Sequence, residues 1–589
     1  MTAQARSECR HPRLPIVALA ALLGAAFAAW LYGWRVLDPA SHAWLLHGDP
    51  AQHYIGAVHF MGEPWRWPPG AMRGFGDAGT SVMLTDSLPL LAIAAKVLGW
   101  PAYWQYFGLW LYASHALAGA AGAALLWRLG CAALPALLGA AFFATAPVLL
   151  LRTYGHEALQ GQFLLLAALA LAFGPWRAWP WVALIVLAVW VHPYLAAMVF
   201  AMAAAGAAAA CGERRVAARR LPGMAVLTLA SAAGAAYLAG YFGRGGQYSA
   251  AGYDFFSANL LTWFDPMAWA SFLAQHGRDV AQGHEWSRLL PGLGQATAGQ
   301  YEGFAYLGAG MLALLVLASG SAILRRPVGA DWPSRRRWLW LSGACGALAL
   351  LAVSVRPTLG THVLFELPLP AAAAQLLGLF RASGRFIWPL TYLLMAWSIA
   401  RVARLSGAPL WLAAALLIQT YDLSAKLTEL RERFRTGPPG VAAAPASPLW
   451  AQALRTCPRM ELLFWPADDG RWITPALAAA RAGAAITPAP VARPQPQVEQ
   501  AQRQVQQARL AGQGWRQDTL YVLPQASGEP PVQPPGGFRP FRADGFVLFA
   551  APRCLPSAPV AAGSRDSESR SQAALLRPII APSKGASWA

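Results

Sequence analysis

The stretch AWPWVALIVLAVWVHPYLAAMVFAMAAAGAAAAC (residues 178–211) decides the class of fold. It is apolar almost throughout and far too long for a single membrane crossing, which takes about 20 residues. His192-Pro193 interrupts it, because proline removes a helical hydrogen bond and crowds the preceding turn. Two short helices meeting there is the preferred reading, and one kinked helix is the alternative. Similar apolar runs recur on both sides of this stretch. They predict helices near 14–34, 103–127, 131–151, 157–174, 179–194, 194–211, 221–242, 303–324, 337–355, 386–404 and 407–421. The shorter run 86–99 reads as interfacial or re-entrant. The expectation is an all-α polytopic membrane protein with about eleven transmembrane helices.

Composition points the same way. Of 589 residues, 56% are hydrophobic and 12% charged, against roughly 25% charged in ordinary soluble domains. The formal net charge is +19, which by itself suggests nucleic acid or an anionic surface as a partner. The positions of the arginines argue otherwise. Arg6, Arg10 and Arg13 precede the first helix, and such clusters mark the cytoplasmic side. If the helices alternate, Arg128, Arg177, the ERRVAARR run (213–220), Arg325, Arg326, Arg335 to Arg337, Arg401 and Arg404 fall on that side too. No nucleic-acid partner is then needed, and membrane lipids are the natural surroundings. The outer side receives segments 35–85, 152–156, 192–194, 243–302 and 356–385, and everything after about 422. Six cysteines exclude a disulfide-dense scaffold.

Three domains are expected: a transmembrane domain over 1–422, a small extracytoplasmic α/β domain over 423–555, and a disordered tail over 556–589. In the second, RMELLFWPA (459–467), TLYVLP (519–524) and GFVLFAAP (545–552) read as strands, and QVEQAQRQVQQARLA (497–511) as a polar helix. Cys457 and Cys554 bracket it. In an oxidising compartment they can pair; otherwise they are two free thiols.

Polar groups gather at the predicted outer ends of the helices. HGDPAQHY (47–54) contains Asp49, either a carboxylate held in a stiff turn or an ordinary helix cap; His53 and Tyr54 are not needed for a cap. TSVMLTDSLPLL (80–91) offers Asp86 or Thr85 as a cap, or Asp86 as a functional acid. EPWRWPPG (63–70) suits an interfacial loop with tryptophans at headgroup level. LLLRTYGHEALQGQF (149–163) puts Arg152, His156 and Glu157 between two apolar helices, where ionisable groups are expensive. They mark a substrate path, or Arg152 simply pairs with Glu157. His192 lies in the next outer turn. GQYEGFAYLG (299–308) places Glu302 at a helix mouth, and FRASGRFIWP (380–389) places Arg381 and Arg385 at another. Arginine forks suit phosphate, although snorkelling to headgroups is the plainer account.

This layout resembles the GT-C superfamily of integral membrane glycosyltransferases, which use polyprenyl-phosphate or polyprenyl-pyrophosphate sugar donors. GDPAQHY (48–54) is similar to the first-loop aspartate motif of that superfamily. The likeness covers mainly residues 1–210. The segments HGDPAQHY, TDSLPLL, GHEALQGQF, VHPYL, GQYEGFAYLG and FRASGRF also resemble a bacterial family of polytopic membrane proteins placed near GT-C enzymes, a likeness that spans most of the chain and brings no reaction with it. The resemblance implies a bacterial inner-membrane enzyme with a periplasmic C-terminal domain, moving a sugar from a polyprenyl-phosphate donor to a glycan or lipid acceptor. Asp49 would be the catalytic carboxylate. Arg385 and Arg381 would hold the donor phosphate, and His156, Glu157 and Asp86 would orient the acceptor or complete a metal site. His53, Tyr54, Arg152, His192 and Glu302 complete the substrate-binding set. A divalent cation, Mg or Mn, would sit on Asp49 and Glu157. The WWDxG motif of protein N-glycosylation is absent. A transporter or flippase of a lipid-linked or polar substrate, and a non-catalytic assembly component, are the competing expectations.

Overall fold

The computed structural model describes residues 14–76, 79–242, 252–267, 285–326, 329, 331–438, 440–466, 470–491, 495–525 and 532–554. Arg6, Arg10 and Arg13, parts of the loop 243–302, and the tail 556–589 lie outside these residues.

The first helix, Leu14–Tyr32, packs along Phe107–Arg128. Small residues bring the two backbones close, as is common between helices in lipid. A Cβ on Gly24 would stand 2.3 Å from the His115 carbonyl oxygen, and one on Gly119 would stand 2.4 Å from that of Ala20. His115, a polar side chain at this seam, is satisfied locally. The Tyr32 hydroxyl meets His115 Nε2 at 2.7 Å, while His115 Nδ1 reaches the Ala144 carbonyl at 2.6 Å.

Helices form close to every predicted position. Among the described residues, five are long and apolar enough to cross a membrane: Leu14–Tyr32, Phe107–Arg128, Ala133–Tyr154, Pro193–Gly212 and Ala218–Leu238. The others are short or charged. Ala178–Val191 has 14 residues and Ala309–Ile323 has 15, below the roughly 20 needed for an upright span. Arg335–Val353 begins with three arginines. His192-Pro193 does separate two helices, Ala178–Val191 and Pro193–Gly212, with His192 itself extended. The run 86–99 contains only the nine-residue helix Pro89–Val97.

Residue 422, the expected end of the transmembrane domain, lies inside a helix. Helix Ala408–Thr436 runs unbroken through it, and Asp422 is buried at the point where the composition changes. Its carboxylate accepts from the Ser287 hydroxyl, the Tyr306 hydroxyl at 2.8 Å, and the backbone N–H groups of Leu289 at 3.3 Å and Ala309 at 2.9 Å. One side chain thus ties two distant segments to the helix.

The C-terminal domain is a five-stranded mixed sheet in the order Ala485–Thr487, Arg459–Leu462, Thr519–Pro524, Phe546–Ala550, Arg539–Ala543. The first three strands run parallel and the last two form antiparallel pairs. The three predicted strands are the buried ones. The two unpredicted strands are the edges, short or solvent-facing, so their apolar pattern is weak. The polar helix forms as Pro496–Leu510. Cys457 and Cys554 are bonded, with Cα atoms 5.4 Å apart.

This domain is seated on the first loop. Ile473–Ala482 packs on Gly48–Gly62. Residues 74–76 continue the sheet: Ile486 N–H donates to Gly74 at 2.7 Å, Gly76 N–H donates to Ile486 at 2.9 Å, and Phe75 is fully buried between. The Glu63 carboxylate fixes this segment by accepting from the Arg73 and Gly74 N–H groups.

Two outcomes follow from these ties. Asp422→Ala leaves the Ser287 and Tyr306 hydroxyls and the Ala309 N–H without this acceptor and should lower stability by about 3 kcal/mol or more, read as a lower melting temperature in detergent. Replacing Cys457 and Cys554 by serine opens a loop of 97 residues, and chain entropy sets the expected loss at about 4.7 kcal/mol. Protease susceptibility of the C-terminal domain across a urea series measures it.

Candidate functional site

Six separate segments bring ionisable side chains to one place. The first is the start of helix Gly48–Gly62. Pro50 in its first turn suits the missing N–H there. Asp49 does not act as the cap: His47 holds that position and no side chain caps the helix. Instead Asp49 Oδ2 meets His156 Nε2 at 3.2 Å. His53 lies one turn on, on the same face. Its Nδ1 is 2.6 Å from Glu157 Oε2, and both side chains are buried.

His156 and Asp86 are delivered by strained backbone. Both are left-handed, with φ of 61° and 53°. Non-glycine residues hold that conformation at a cost of order 1 kcal/mol or more, and such residues cluster at functional sites. Gly155 precedes His156, and a Cβ there would lie 3.4 Å from Asp49 Oδ2. The result is a close group: one ligand-type atom each from His53, Asp86 and His156 falls within 4.8 Å of the others. His192 supports it from outside. Its Nδ1 accepts from the Tyr194 N–H at 3.2 Å, so the proton is on Nε2, which lies 3.9 Å from Asp86 Oδ1.

Glu302 forms the floor. Arg385 Nε and Nη2 meet its two oxygens at 2.9 and 2.5 Å, and Arg152 Nη1 meets Oε2 at 2.8 Å. All three side chains are buried. The ring of Trp388 lies under Arg152, and that of Tyr194 under Arg385, at 5.0 and 4.9 Å. Glu302 Oε1 is also 4.0 Å from His156 Nε2, which links the floor to Asp49.

These contacts set the charges. Burial alone would raise the Glu302 carboxyl; Arg385 and then Arg152 more than offset it and hold it well below the usual range. Burial would also raise Asp49, but His156 and His53 hold it low, so it is ionised. Burial dominates at His156 and draws its pKa down, so a neutral ring stands beside Asp49. At His53 burial acts downward, and Glu157 overcomes it, bringing the imidazole up to about 8. The floor carries two guanidinium charges against one carboxylate, a surplus of one positive charge beside an ionised Asp49 whose side chain is 55% exposed.

Several expected roles change. Arg152 does not pair with Glu157; each takes a partner far away in sequence. Neither Asp86 nor Thr85 caps Pro89–Val97, whose N-cap is Leu88; the Thr85 hydroxyl meets Ser87 Oγ at 2.7 Å. Tyr54 points elsewhere, donating to the Tyr103 carbonyl and stacking on His42. Arg381 is exposed and lies over Phe256. Asp49 and Glu157 do not form the metal-like group; each bonds one of its histidines. Trp388 and Tyr194 were not among the expected site residues, and only their adjacency to Arg385 and His192 in sequence hinted at them.

A cavity of about 700 Å³ lies elsewhere. Trp65, Trp67, Phe242 and Trp465 line it together with Arg66 and Glu499. It opens beyond the far end of helix Gly48–Gly62, about 20 Å from Asp49 by helical rise.

The family described as Domain of unknown function (DUF6311) matches residues 21–424. The chain belongs to the DUF6311 family. Its C-terminal domain is matched over residues 449–551. No curated protein matches the chain. Every member of the polar cluster, from Asp49 to Arg385, lies within the first DUF6311 match, and the five strands lie within the second.

Glu302→Gln removes the one carboxylate facing two buried guanidinium groups. The expected loss is about 3–5 kcal/mol, against little change for Asp49→Asn, because Asp49 is half exposed. Thermal unfolding of the two purified variants compares them directly.

Proposed function

We propose that this protein is an integral membrane glycosyltransferase of the GT-C type. It acts at the extracytoplasmic face of a bacterial inner membrane, with the N-terminus cytoplasmic and the C-terminal domain periplasmic. The donor is a polyprenyl-phosphate-linked sugar and the acceptor a glycan or lipid hydroxyl. The observation that carries this reading is the pairing of an accessible, ionised Asp49 with a buried floor bearing surplus positive charge. Those are the two groups that glycosyl transfer from a phosphate requires.

In this mechanism the acceptor hydroxyl bonds to Asp49. Its oxygen attacks the anomeric carbon of the donor. The bond from that carbon to the phosphate oxygen breaks, and the electron pair leaves with the phosphate. The hydroxyl proton passes to Asp49. With its depressed pKa, Asp49 is a weak base, so proton transfer comes late, once bond formation has made the hydroxyl acidic. Arg385 and Arg152 stabilise the leaving phosphate through their surplus charge rather than as free forks, since Glu302 already occupies them. The short, charged helices that fall outside the five apolar ones complete the roughly eleven-pass topology by packing against neighbours.

A transport reading needs polar groups continuing to the opposite face. The polar cluster instead gathers in one place: Asp49 reaches Arg385 by way of His156 and Glu302, and Glu157 pairs with His53 one turn along the helix from Asp49.

Asp49→Asn keeps the side-chain volume and should lower transfer by about 10²- to 10⁴-fold with unchanged melting. The assay is release of polyprenyl phosphate from lipid-linked sugars by the purified protein. Full activity in the variant would remove Asp49 from the mechanism. Movement of the lipid-linked sugar across proteoliposomes with no bond broken would overturn the enzymatic reading.

A further inference from the structure

The group formed by His53, His156 and Asp86 has no task in the reaction as written. We propose that these three side chains bind a transition-metal ion of the zinc class, through two imidazoles and one carboxylate. This goes beyond the glycosyltransferase reading and does not depend on it.

The strongest observation is an orphan. His53 is 1% exposed, and its Nε2 has no hydrogen-bond partner. A buried polar nitrogen left unpaired costs on the order of 1–3 kcal/mol. Its Nδ1 is already engaged by Glu157 at 2.6 Å, so Nε2 is the atom offered to a ligand. The second observation is convergence. Ligand-type atoms of His53, Asp86 and His156 lie within 4.8 Å of one another. In a tetrahedral zinc site with bonds of about 2.0–2.1 Å the donors stand about 3.3 Å apart. Small side-chain rotations close that gap.

The third observation is the outer ring of partners. Metal-bound histidines almost always hand their other ring nitrogen to a carboxylate or carbonyl, and ligating carboxylates are themselves hydrogen-bonded. Here His53 has Glu157 at 2.6 Å, His156 has Asp49 at 3.2 Å, and Asp86 has His192 Nε2 at 3.9 Å. His53 therefore has a bonded orienting carboxylate, and His156 and Asp86 have ionisable neighbours within 4 Å. The left-handed backbone of Asp86 and His156 is a conformational cost that bringing the two side chains to one ion accounts for.

The donor set selects the metal. Magnesium wants six oxygens in near-octahedral array. Two imidazoles and one carboxylate suit zinc, cobalt or iron, and three protein ligands leave a coordination position open.

The test uses the full chain in detergent, purified through a tag without histidines and stripped with a chelator. Cobalt(II) is titrated in, followed by its visible absorption, and zinc(II) then displaces it. The expected result is one ion per chain with the intense bands of a four-coordinate site. His53→Ala and His156→Ala should abolish those bands, and Glu157→Gln should weaken uptake about 10- to 100-fold. Zinc should raise the melting temperature of the wild-type protein and not of His53→Ala. Helical circular dichroism establishes that each variant is folded, and His53→Gln replaces His53→Ala should the latter fail. Cobalt uptake equal in wild type and the histidine variants, or site saturation by magnesium alone, overturns the proposal. No sugar donor is present, so failure of the transfer reaction cannot be confused with failure of this site.

Discussion

The constraint on which the rest depends is the buried Glu302 carboxylate. An ionised carboxylate this deep is tolerated only when opposite charges reach it, and removing either partner would strand the remainder. Arg152 and Arg385 come from segments on either side of it in sequence, and both must arrive for the floor to form. That requirement fixes the turn after Ala133–Ala144, the approach to Ala309–Ile323 and the entry to Trp388–Val402 in one arrangement. Once these are set, His156 is held beside Asp49, and Asp86 beside His192. Two aromatic rings, Trp388 and Tyr194, cover the faces of the guanidinium groups and shield them from water.

Electrostatics then divides the site in two. The floor is dry, neutralised almost pairwise, and carries one positive charge in excess. The rim holds Asp49, ionised and open to solvent. A group that is both accessible and flanked by rigid, oppositely charged supports is suited to chemistry on an approaching ligand, because its surroundings need not reorganise. The histidines sit at the boundary between the two zones.

Much of this was legible in the sequence, for particular reasons. Apolar runs announce helices plainly, so the helices fall close to the expected positions. Their standing as spans was harder to read, because hydropathy sees composition and not the length that survives after 3₁₀ turns such as Leu151–Tyr154. Glu302, Arg152, Arg385, His156 and Glu157 all stood out as charges amid apolar neighbours. Their pairing did not. Arg152 and Glu157 are close in sequence, yet the chain turns between them, and each finds a partner more than a hundred residues away. Tyr54 points away for a geometric reason: it follows Asp49 by five residues and so leaves the helix face that His53, four residues on, shares. The edge strands of the C-terminal sheet were missed because edges carry little apolar pattern.

The seam at Phe75 has a consequence for how the chain is assembled. The outermost parallel strand, Ala485–Thr487, would present bare N–H and C=O groups if nothing lay beside it, and such an edge recruits other chains. Residues 74–76 occupy that edge. The C-terminal domain follows the first loop in the chain, so the partner for its edge strand is already made when that strand appears. Excised on its own, it would be an incomplete sheet with an adhesive border, so the two family matches mark sequence boundaries and not two independently soluble bodies.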